Sequence, residues 1–304
     1  MVCERKIDMK TIAITAPTGM LGSMVYNVLK DKYKLILIYR DEDKMKILNE
    51  AYGGVENHKK VRFDLMDLYQ DYLAGFPASN IGPNTKKLID AVGEIDAFIN
   101  CAGIIKPHSL KDPIVTMFVN GAVPNILSTI YKEKLIQITT DCTYDGLVGA
   151  PYTEESPKTP NDLYGLTKSL GEPSRHSLVL RTSIIGPEII GFVSLISWFK
   201  KQEGQTIKGF TNHLWNGITT KEFGNICDRI ISNREAYPKT GLYHIFSNDV
   251  TKFEMVTKFK EKYKINITIE PAEPANPVDR RLRSVYDFYT KLEIPAFNEM
   301  IDQL

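Results

Sequence analysis

The chain has 304 residues, a length that fits one large domain or two small ones. Hydrophobic residues make up 43% of it and charged residues 25%, the ordinary proportions of a globular protein, which excludes a disordered or fibrous chain. Its 38 lysines and arginines nearly balance its 37 aspartates and glutamates. A formal charge of +1 argues against partners such as nucleic acid or an acidic membrane.

The sequence also predicts the compartment. Apolar runs such as residues 35–39 are too short to span a bilayer, and the N-terminal MVCERKIDMK lacks the apolar stretch of a secretion signal. The cysteines show neither a CxxC pair nor a metal-binding spacing, and their scatter suits a reducing environment. They are Cys3, Cys101, Cys142 and Cys227. We therefore expect a cytoplasmic protein with no metal site.

Short β-rich segments alternate along the chain with segments of helical period. Most are apolar throughout, as expected of strands covered on both faces. The predicted strands are residues 10–15, 34–39, 61–64, 97–101, 135–140, 178–183 and 241–247. Between the first two, Leu21, Met24, Val25 and Val28 form the apolar stripe of a helix that packs on a sheet. This alternation predicts an α/β fold with a Rossmann-type doubly wound parallel sheet.

A smaller lobe is predicted to interleave with this sheet. Proline and glycine become more frequent after Gly186, and residues 271–277 (PAEPANP) are irregular. We assign residues 1–186 to the Rossmann domain, with about 217–249 returning to it, and residues 187–216 and 250–304 to a substrate-binding lobe.

A phosphate-binding turn follows the first strand. Gly19 lets the backbone approach a pyrophosphate, and Gly22 lets the helix pack closely on the strand, although Ala16 replaces the first glycine of the usual spacing. A tight turn without a ligand stays the alternative. The turn residues expected to contact a dinucleotide are Thr18, Gly19, Met20, Leu21 and Gly22.

The cofactor type is predicted from the end of the second strand. Tyr39 stands where an acid would hold the ribose of NAD, and Arg40 follows, which favours NADPH and leaves NADH as the alternative. In the alternative structural interpretation, Arg40 pairs with Asp41 or Asp43. Further cofactor contacts are expected after the third and fourth strands. They are Asp64, Leu65, Cys101, Ala102 and Gly103.

Tyr164 and Lys168 are the predicted catalytic pair. Residues four apart on a helix share one face, and an ammonium beside a phenol lowers the phenol's pKa. Thr140 ends the fifth strand, at the sheet edge where ligands bind in open parallel sheets. Tyr26 and Lys30 repeat the same spacing, but there we predict a packed tyrosine and a surface lysine.

These motifs together resemble the extended short-chain dehydrogenase/reductase family. TTDCTYDG, PNDLYGLTKSLGE and LVLRTS are most similar to the dTDP-4-dehydrorhamnose reductases within it. The resemblance implies NADPH-dependent reduction of the C4 ketone of a nucleotide-linked 4-keto-6-deoxy sugar. Tyr164 would be the general acid, Lys168 would bind the nicotinamide ribose, and Thr140 would orient the carbonyl. Asn120 would either hold a water near Lys168 or serve in packing.

The resemblance also implies a substrate site in the smaller lobe and a homodimer. Segments like the one around Trp215 and Lys221 bind substrate in GDP-fucose synthases, and Arg281 and Arg283 are further candidates for the diphosphate. A core role for Trp215 is the alternative.

Cys142 and Glu188 raise the question of epimerisation at C3 or C5 before reduction. GDP-fucose synthases, which combine the two reactions, carry a cysteine at the position of Cys142 and a histidine where this chain has Glu188. A thiol near the cofactor and Lys168 is expected to have a lowered pKa, which suits proton transfer. In the alternative, Cys142 is a packed residue and Glu188 a surface acid.

Two other functions stay open. One is a non-catalytic NADP-binding regulatory subunit, like that of methionine adenosyltransferase. The other is a nucleotide-sugar epimerase or dehydratase on the same fold, although such enzymes are expected to carry an acid pair where this chain has only Asp141.

Overall fold

The computed structural model describes residues 9–75 and 81–304, so the predicted features of the N-terminal segment, including Cys3, lie outside the described residues. In chain order the strands are β1 (Thr11–Thr15), β2 (Lys34–Tyr39), β3 (Lys59–Arg62), β4 (Ala97–Asn100), β5 (Leu135–Thr140), β6 (Leu178–Thr182), β7 (Ile184–Ile185), β8 (Thr206–Phe210), β9 (His213–Trp215), β10 (Ile218–Thr219), β11 (Gly241–His244), β12 (Val250–Thr251), β13 (Thr268–Ala272) and β14 (Val278–Asp279). The α-helices are α1 (Met20–Leu29), α2 (Glu42–Tyr52), α3 (Asp67–Leu73), α4 (Pro83–Val92), α5 (Lys106–Ser109), α6 (Pro113–Met117), α7 (Val123–Tyr131), α8 (Leu163–Leu170), α9 (Leu195–Lys200), α10 (Thr220–Ser232), α11 (Lys252–Tyr263) and α12 (Phe297–Asp302).

A parallel sheet forms the centre of the described structure, in the order β11-β6-β5-β4-β1-β2-β3. Each predicted strand lies in it, and the prediction of a Rossmann-type α/β fold is confirmed. The apolar character of β2 explains why its position is internal. Leu35 and Leu37 belong to one apolar cluster, and Ile36 and Ile38 belong to another. Because successive side chains point to opposite faces, helices cover this strand on both sides.

The strand order reverses beside β1, which pairs with β2 on one side and β4 on the other. In open parallel sheets, ligands bind in the crevice at the carboxyl ends of the strands at such a reversal. The segments that follow β1, β4 and β5 therefore form the expected ligand site.

The smaller lobe is built from short strands and α11. Within the described residues, β8 pairs with β13, and β9 lies between β12 and β14. Trp215, Met255 and Phe259 belong to the apolar cluster of this region. However, Phe288 and Met300 belong to the cluster under the main sheet, so the C-terminal segment also packs on the Rossmann core. The predicted domain boundaries stay a prediction.

One helical stretch among the described residues, Pro113–Lys134, is long and apolar enough by length and composition to cross a membrane. The short apolar runs of the sequence did not predict it. Half of its most apolar window, 50%, is buried inside the fold, where Val123 and Leu127 pack in an apolar cluster. Core helices and membrane spans share this length and apolarity, and the packing here is that of a core helix.

Candidate functional site

The turn between β1 and α1 is closely packed. Gly19 is the N-cap of α1, and the first turn of the helix contains no acidic residue that would repel an anion. A Cβ on Gly22 would lie 2.1 Å from the carbonyl oxygen of Ala16, so only glycine lets the helix come this close to the turn. Ala16, which replaces the expected glycine, has a φ of 48°, in the left-handed region.

Polar side chains tie the ends of neighbouring strands together at this edge. The Thr15 hydroxyl donates to Asn100 Oδ1 at 2.6 Å and accepts from the backbone N–H groups of Cys101 at 3.0 Å and Ala102 at 3.2 Å. Asn100 in turn donates to Gln137 at 2.7 Å. These bonds hold the segment that begins with Cys101, where the sequence predicts cofactor contacts.

Arg40 borders an open cavity of ≈ 720 Å³ at the end of β2. Its guanidinium is 3.7 Å from Asp64 Oδ2, not paired with Asp41 or Asp43 as the alternative proposed, and its side chain is 68% exposed. Lys44, Arg62 and Lys87 also line this cavity. The arrangement leaves Arg40 available to a phosphate, because an ion pair this exposed is weak.

Asn120 lies in a π-helical turn, Phe118–Ala122, between α6 and α7. Its side chain is buried, accepts from the N–H of Ile104 at 2.8 Å and donates to the carbonyl of Ile104 at 2.9 Å and to the hydroxyl of Thr167 at 3.2 Å. The amide therefore joins the segment after β4 to helix α8. This supports the packing role rather than the water-holding role.

Tyr164 and Thr140 come together where β5 ends and α8 begins. The Thr140 side chain is close enough to the Tyr164 phenol to favour its ionised form. Burial, the largest cause, raises the pKa of Tyr164 well above its usual value, and Cys142 adds to the rise. The prediction of a lowered pKa is wrong, because burial outweighs the Thr140 side chain, which acts to lower the pKa of Tyr164.

Lys168 lies deeper in the same site. Its ammonium donates to the carbonyl of Ile138 at 3.1 Å and lies near Gly103, where a Cβ would be 3.8 Å from Nζ. Burial lowers the pKa of Lys168 to about 8, and Glu172 and Cys101 act in the opposite direction. The lysine predicted to contact the cofactor is thus held against β5 by a backbone carbonyl.

Gly165 explains how α8 reaches this position. A Cβ there would lie 2.1 Å from the carbonyl oxygen of Cys142, so glycine next to Tyr164 lets the helix pack directly on the segment after β5. Asp162 caps the helix by accepting from the N–H of Gly165 at 2.7 Å. Lys106 forms an ion pair with Asp162 at 2.7 Å, at the start of this helix.

A buried ion pair supports α8 from behind. Glu172 and Arg181 have side chains 2% and 1% exposed, joined by bonds of 3.1 Å and 2.6 Å. Thr139, next to Thr140, donates to Glu172 at 3.0 Å. Burial alone would raise the pKa of Glu172, but Arg181 and Lys158 outweigh it and hold the pKa below its usual value. Sequence reasoning noted Arg181 only as part of a motif and gave Glu172 no role.

Cys142 and Glu188 differ from the expectation. Burial raises the pKa of the Cys142 thiol to about 12, and Asp141 adds to the rise, so the prediction of a lowered pKa is wrong. The Glu188 carboxylate accepts from the N–H of Ser194 at 2.7 Å and the hydroxyl of Ser197 at 3.0 Å. It therefore caps the start of α9, and its role in proton transfer stays a prediction.

The predicted substrate residues of the lobe are also engaged within the chain. Trp215 is 4% exposed and packs edge-on against Phe297 at 5.8 Å, so the core interpretation is the correct one. Lys221 donates to the carbonyl of Gln303 at 2.8 Å.

Arg281 and Arg283 are neutralised by nearby acids. Arg281 pairs with Asp279 at 2.7 Å and with Asp249 at 2.8 Å, and Arg283 pairs with Asp249 at 2.7 Å. A diphosphate would have to compete with these acids, and the role of the two arginines in binding it stays a prediction.

Sequence reasoning missed two cations that face the site. Arg280 donates to the backbone carbonyls of Tyr144 at 3.0 Å and Asp145 at 3.1 Å, just after the segment that contains Cys142. Lys252, the first residue of α11, lies near enough to Asp141 and Cys142 for both to raise its pKa, although burial lowers it to about 8. The alternation of side chains along an extended chain could have pointed to Arg280. Asp279 and Arg281 are two residues apart and lie on one side of the chain, so the side chain of Arg280 points to the opposite side.

Two family models match the chain. The RmlD substrate binding domain matches residues 97–294, and the NAD dependent epimerase/dehydratase family matches residues 12–177, each more than half of the chain. The chain belongs to the NAD-dependent epimerase/dehydratase family and carries an RmlD substrate-binding domain.

Individual relatives of this family are distant. The probable low-salt glycan biosynthesis reductase Agl14 of Haloferax volcanii is 23% identical over 77% of this chain and 73% of its own length. Methionine adenosyltransferase 2 subunit beta of Xenopus tropicalis is 23% identical over 87% of this chain and 78% of its own length. The crystal structure of dTDP-4-dehydrorhamnose reductase from Bacillus anthracis str. Ames in complex with NADP has the same fold, with a TM-score of 0.64 and 16% identity over 97% of this chain and 98% of that one.

Because it belongs to this family, the chain is an NAD(P)-dependent oxidoreductase of the nucleotide-sugar reductase and epimerase type. The residues present fit the dinucleotide. The turn before α1 offers backbone N–H groups with no acid nearby, and Gly22 permits the close approach that a pyrophosphate needs. Arg40 lines the cavity at the end of β2, the strand next to β1 in the sheet.

Proposed function

We propose that the protein catalyses NADPH-dependent reduction of the C4 ketone of a nucleotide-linked 4-keto-6-deoxy sugar. The observation that carries the proposal is the placement of Tyr164 beside the Thr140 side chain, where α8 packs closely on the segment after β5, with buried Lys168 one helical turn further along α8. The RmlD substrate-binding domain and the reductases among the relatives support the same reaction.

The residues of this chain supply proton transfer and orientation, while the nicotinamide supplies the hydride when it is bound. As negative charge develops on the ketone oxygen, donors already in place stabilise it. Tyr164 gives its proton to that oxygen. Because burial raises the pKa of Tyr164, the phenol is protonated at neutral pH, as a general acid must be. Thr140 donates the second hydrogen bond and orients the carbonyl.

Lys168 and Arg40 hold the two ends of the cofactor in this proposal. With a pKa of about 8, Lys168 is mostly charged at neutral pH and can donate to ribose hydroxyls. Arg40 is exposed beside the cavity at the end of β2, and a guanidinium is well suited to the 2′-phosphate that distinguishes NADPH from NADH.

The decisive experiment measures NADPH oxidation over a panel of 4-keto-6-deoxy sugars carried on dTDP, UDP and GDP, with NMR of each product. We expect oxidation with at least one of them, giving the 4-hydroxy sugar, and none without substrate. No oxidation with any member of the panel would contradict the proposal and favour the regulatory alternative, since relatives named methionine adenosyltransferase 2 subunit beta are similar over most of the chain.

Epimerisation before reduction rests on Cys142 alone. Its position beside Thr140 and its influence on Tyr164 support a role at the substrate, whereas its raised pKa and the engagement of Glu188 do not support an acid–base pair. Incubation with substrate in D2O and oxidised cofactor measures deuterium entering C3 or C5. Exchange that disappears in Cys142→Ser would establish epimerisation, and no exchange on a substrate that the enzyme reduces would limit the reaction to the ketone.

We further propose that the enzyme is a cytoplasmic homodimer without membrane or nucleic-acid partners. The family resemblance and the nearly balanced charge support this. Light scattering on the purified chain should give twice the 34.5 kDa of one chain, and cell fractionation should recover the protein in the soluble fraction. A monomeric mass or recovery with membranes would contradict it.

A further inference from the structure

We propose that Lys252 and Arg280 form an anion-binding pair that receives the diphosphate of the nucleotide-linked substrate. The two residues flank the same strand of the smaller lobe. Leu214 in β9 is paired with Thr251 of β12 on one side and with Asp279 of β14 on the other. Lys252 directly follows Thr251, and Arg280 directly follows Asp279. The lobe therefore brings two cations from distant parts of the sequence to the segment after β5.

Within the described residues Arg280 forms no ion pair, although Asp141 and Asp162 act on it through space. It donates to the backbone carbonyls of Tyr144 and Asp145, whereas Arg281 and Arg283 pair with carboxylates. Gly146 has a φ of 79°, and a Cβ there would lie 2.8 Å from Arg280 Cγ. The side chain therefore needs a glycine to reach its place. Carbonyl groups orient a guanidinium without cancelling its charge, which leaves it available to a phosphate.

Lys252 is a partly buried cation without an ion pair to any residue in 9–75 or 81–304. Its ammonium contacts Met255 Sδ at 3.6 Å and lies 5.6 Å from the centre of the Trp215 ring. A cation with little access to water and without a carboxylate partner costs stability, so its position favours the binding of a compensating negative charge. Asp141 offers partial compensation, since it acts on both Lys252 and Arg280 through space.

The location of the pair selects the diphosphate. Arg280 acts electrostatically on Cys142, and Cys142 acts electrostatically on Lys252. Cys142 lies two residues from Thr140 in the sequence. An anion bound there would lie near the segment that holds Thr140, where the ketone is placed in the proposed function. The diphosphate is attached at C1, across the ring from C4, and its two negative phosphates match two cations. This identification rests on the proposed function, since it takes Thr140 and Tyr164 as the place of the ketone.

The test is calorimetric titration of the full chain, with NADPH present, by UDP, dTDP and GDP separately. We expect at least one to bind, and Lys252→Met and Arg280→Gln each to weaken that binding at least tenfold without changing NADPH affinity. Lys260→Met, on the exposed part of α11, and Arg175→Gln, at an exposed site, serve as matched controls and should change binding less than twofold. Absence of binding to all three nucleotides, or unchanged binding in both variants, would overturn the proposal.

Two further measurements separate binding from a structural role. Arg280→Lys keeps the charge and should bind better than Arg280→Gln, whereas equal loss in both would reduce Arg280 to a support for the Tyr144–Asp145 backbone. Lys252→Met removes a cation that the chain compensates only in part, so this variant should unfold at the same or a higher temperature. A clear fall in its melting temperature would mean that the chain itself satisfies the ammonium, and would overturn the proposal. If the variants bind the nucleotide more weakly but the parent enzyme turns over no keto sugar, the anion site would be supported and the proposed reaction refuted.

Discussion

The sheet edge and the smaller lobe differ in how their predicted site residues are placed. At the sheet edge, Thr140 and Tyr164 lie next to each other, and Arg40 stands exposed beside a cavity. In the lobe, Trp215 is a core residue and Arg281 is paired with acids of its own chain. Residue type therefore predicted the surroundings of a side chain better at the sheet edge than in the lobe.

The difference lies in what fixes the position of a side chain. In a parallel sheet, strand ends meet at one edge, so a residue's place follows from where its strand ends. In the lobe, the strands around β9 have two or three residues, and nothing in their pattern says which neighbour a charge will meet. A cation there must be judged by whether an acid of the chain already neutralises it.

Replacement of Tyr164 by phenylalanine should have the largest effect, and it directly tests the catalytic role proposed for this residue at the sheet edge. Loss of the proton donor should lower kcat by about 10²–10⁴-fold, while the ring stays and NADPH binding is kept. The measurement is NADPH oxidation together with NADPH affinity by fluorescence. Tyr26→Phe is the matched control, because Tyr26 has the same spacing to a lysine but donates to the carbonyl of Gly53 at 2.6 Å. Near-parental turnover in Tyr164→Phe would refute the assignment.

The two regions should also differ in how much their ion pairs stabilise the fold. Removal of Arg181 should lower the free energy of unfolding far more than removal of Arg283. Arg181→Met leaves Glu172 as a buried charge without its main partner, a loss of about 3–5 kcal/mol. Arg283→Met breaks a half-exposed pair with Asp249 and should cost about 1 kcal/mol or less. Urea unfolding monitored by circular dichroism measures both. Similar losses would mean that the lobe's ion pairs are as important to the fold as the buried one.

Much of the fold could be predicted because β2 and its neighbours are apolar on both faces and helices of matching period separate them. The buried pair of Glu172 and Arg181 could not, since the two residues meet only when α8 packs beside β6. The pKa of Tyr164 was predicted in the wrong direction for a related reason. A sequence shows a lysine four residues from the tyrosine, but the burial that raises the pKa of Tyr164 depends on how the whole site packs.

Arg40→Ala should sharpen the cofactor assignment at the sheet edge. Loss of a charge-assisted contact to the 2′-phosphate should weaken NADPH by about tenfold, equivalent to about 1.4 kcal/mol, and leave NADH nearly unchanged. The ion pair with Asp64 does not offset this, because it is long and exposed. Affinities for the two cofactors, measured by fluorescence titration, give the ratio. An equal loss for both would make Arg40 a structural residue.

The smallest expected effect comes from Ala16→Gly, in the turn where the chain departs from the usual glycine. Ala16 has a φ of 48°, a conformation that costs a residue with a side chain about 1–2 kcal/mol. Glycine adopts it freely but makes the unfolded chain more flexible, at a cost of about 0.4–1 kcal/mol. The balance predicts a gain of about 0.5–1 kcal/mol, measured as a higher urea midpoint. Ala13→Gly is the matched control: it lies in β1 with ordinary extended backbone, where the same change only removes packing and adds flexibility, and it should lose stability. A loss in both variants would mean that the Ala16 side chain contributes contacts worth more than the strain of its backbone.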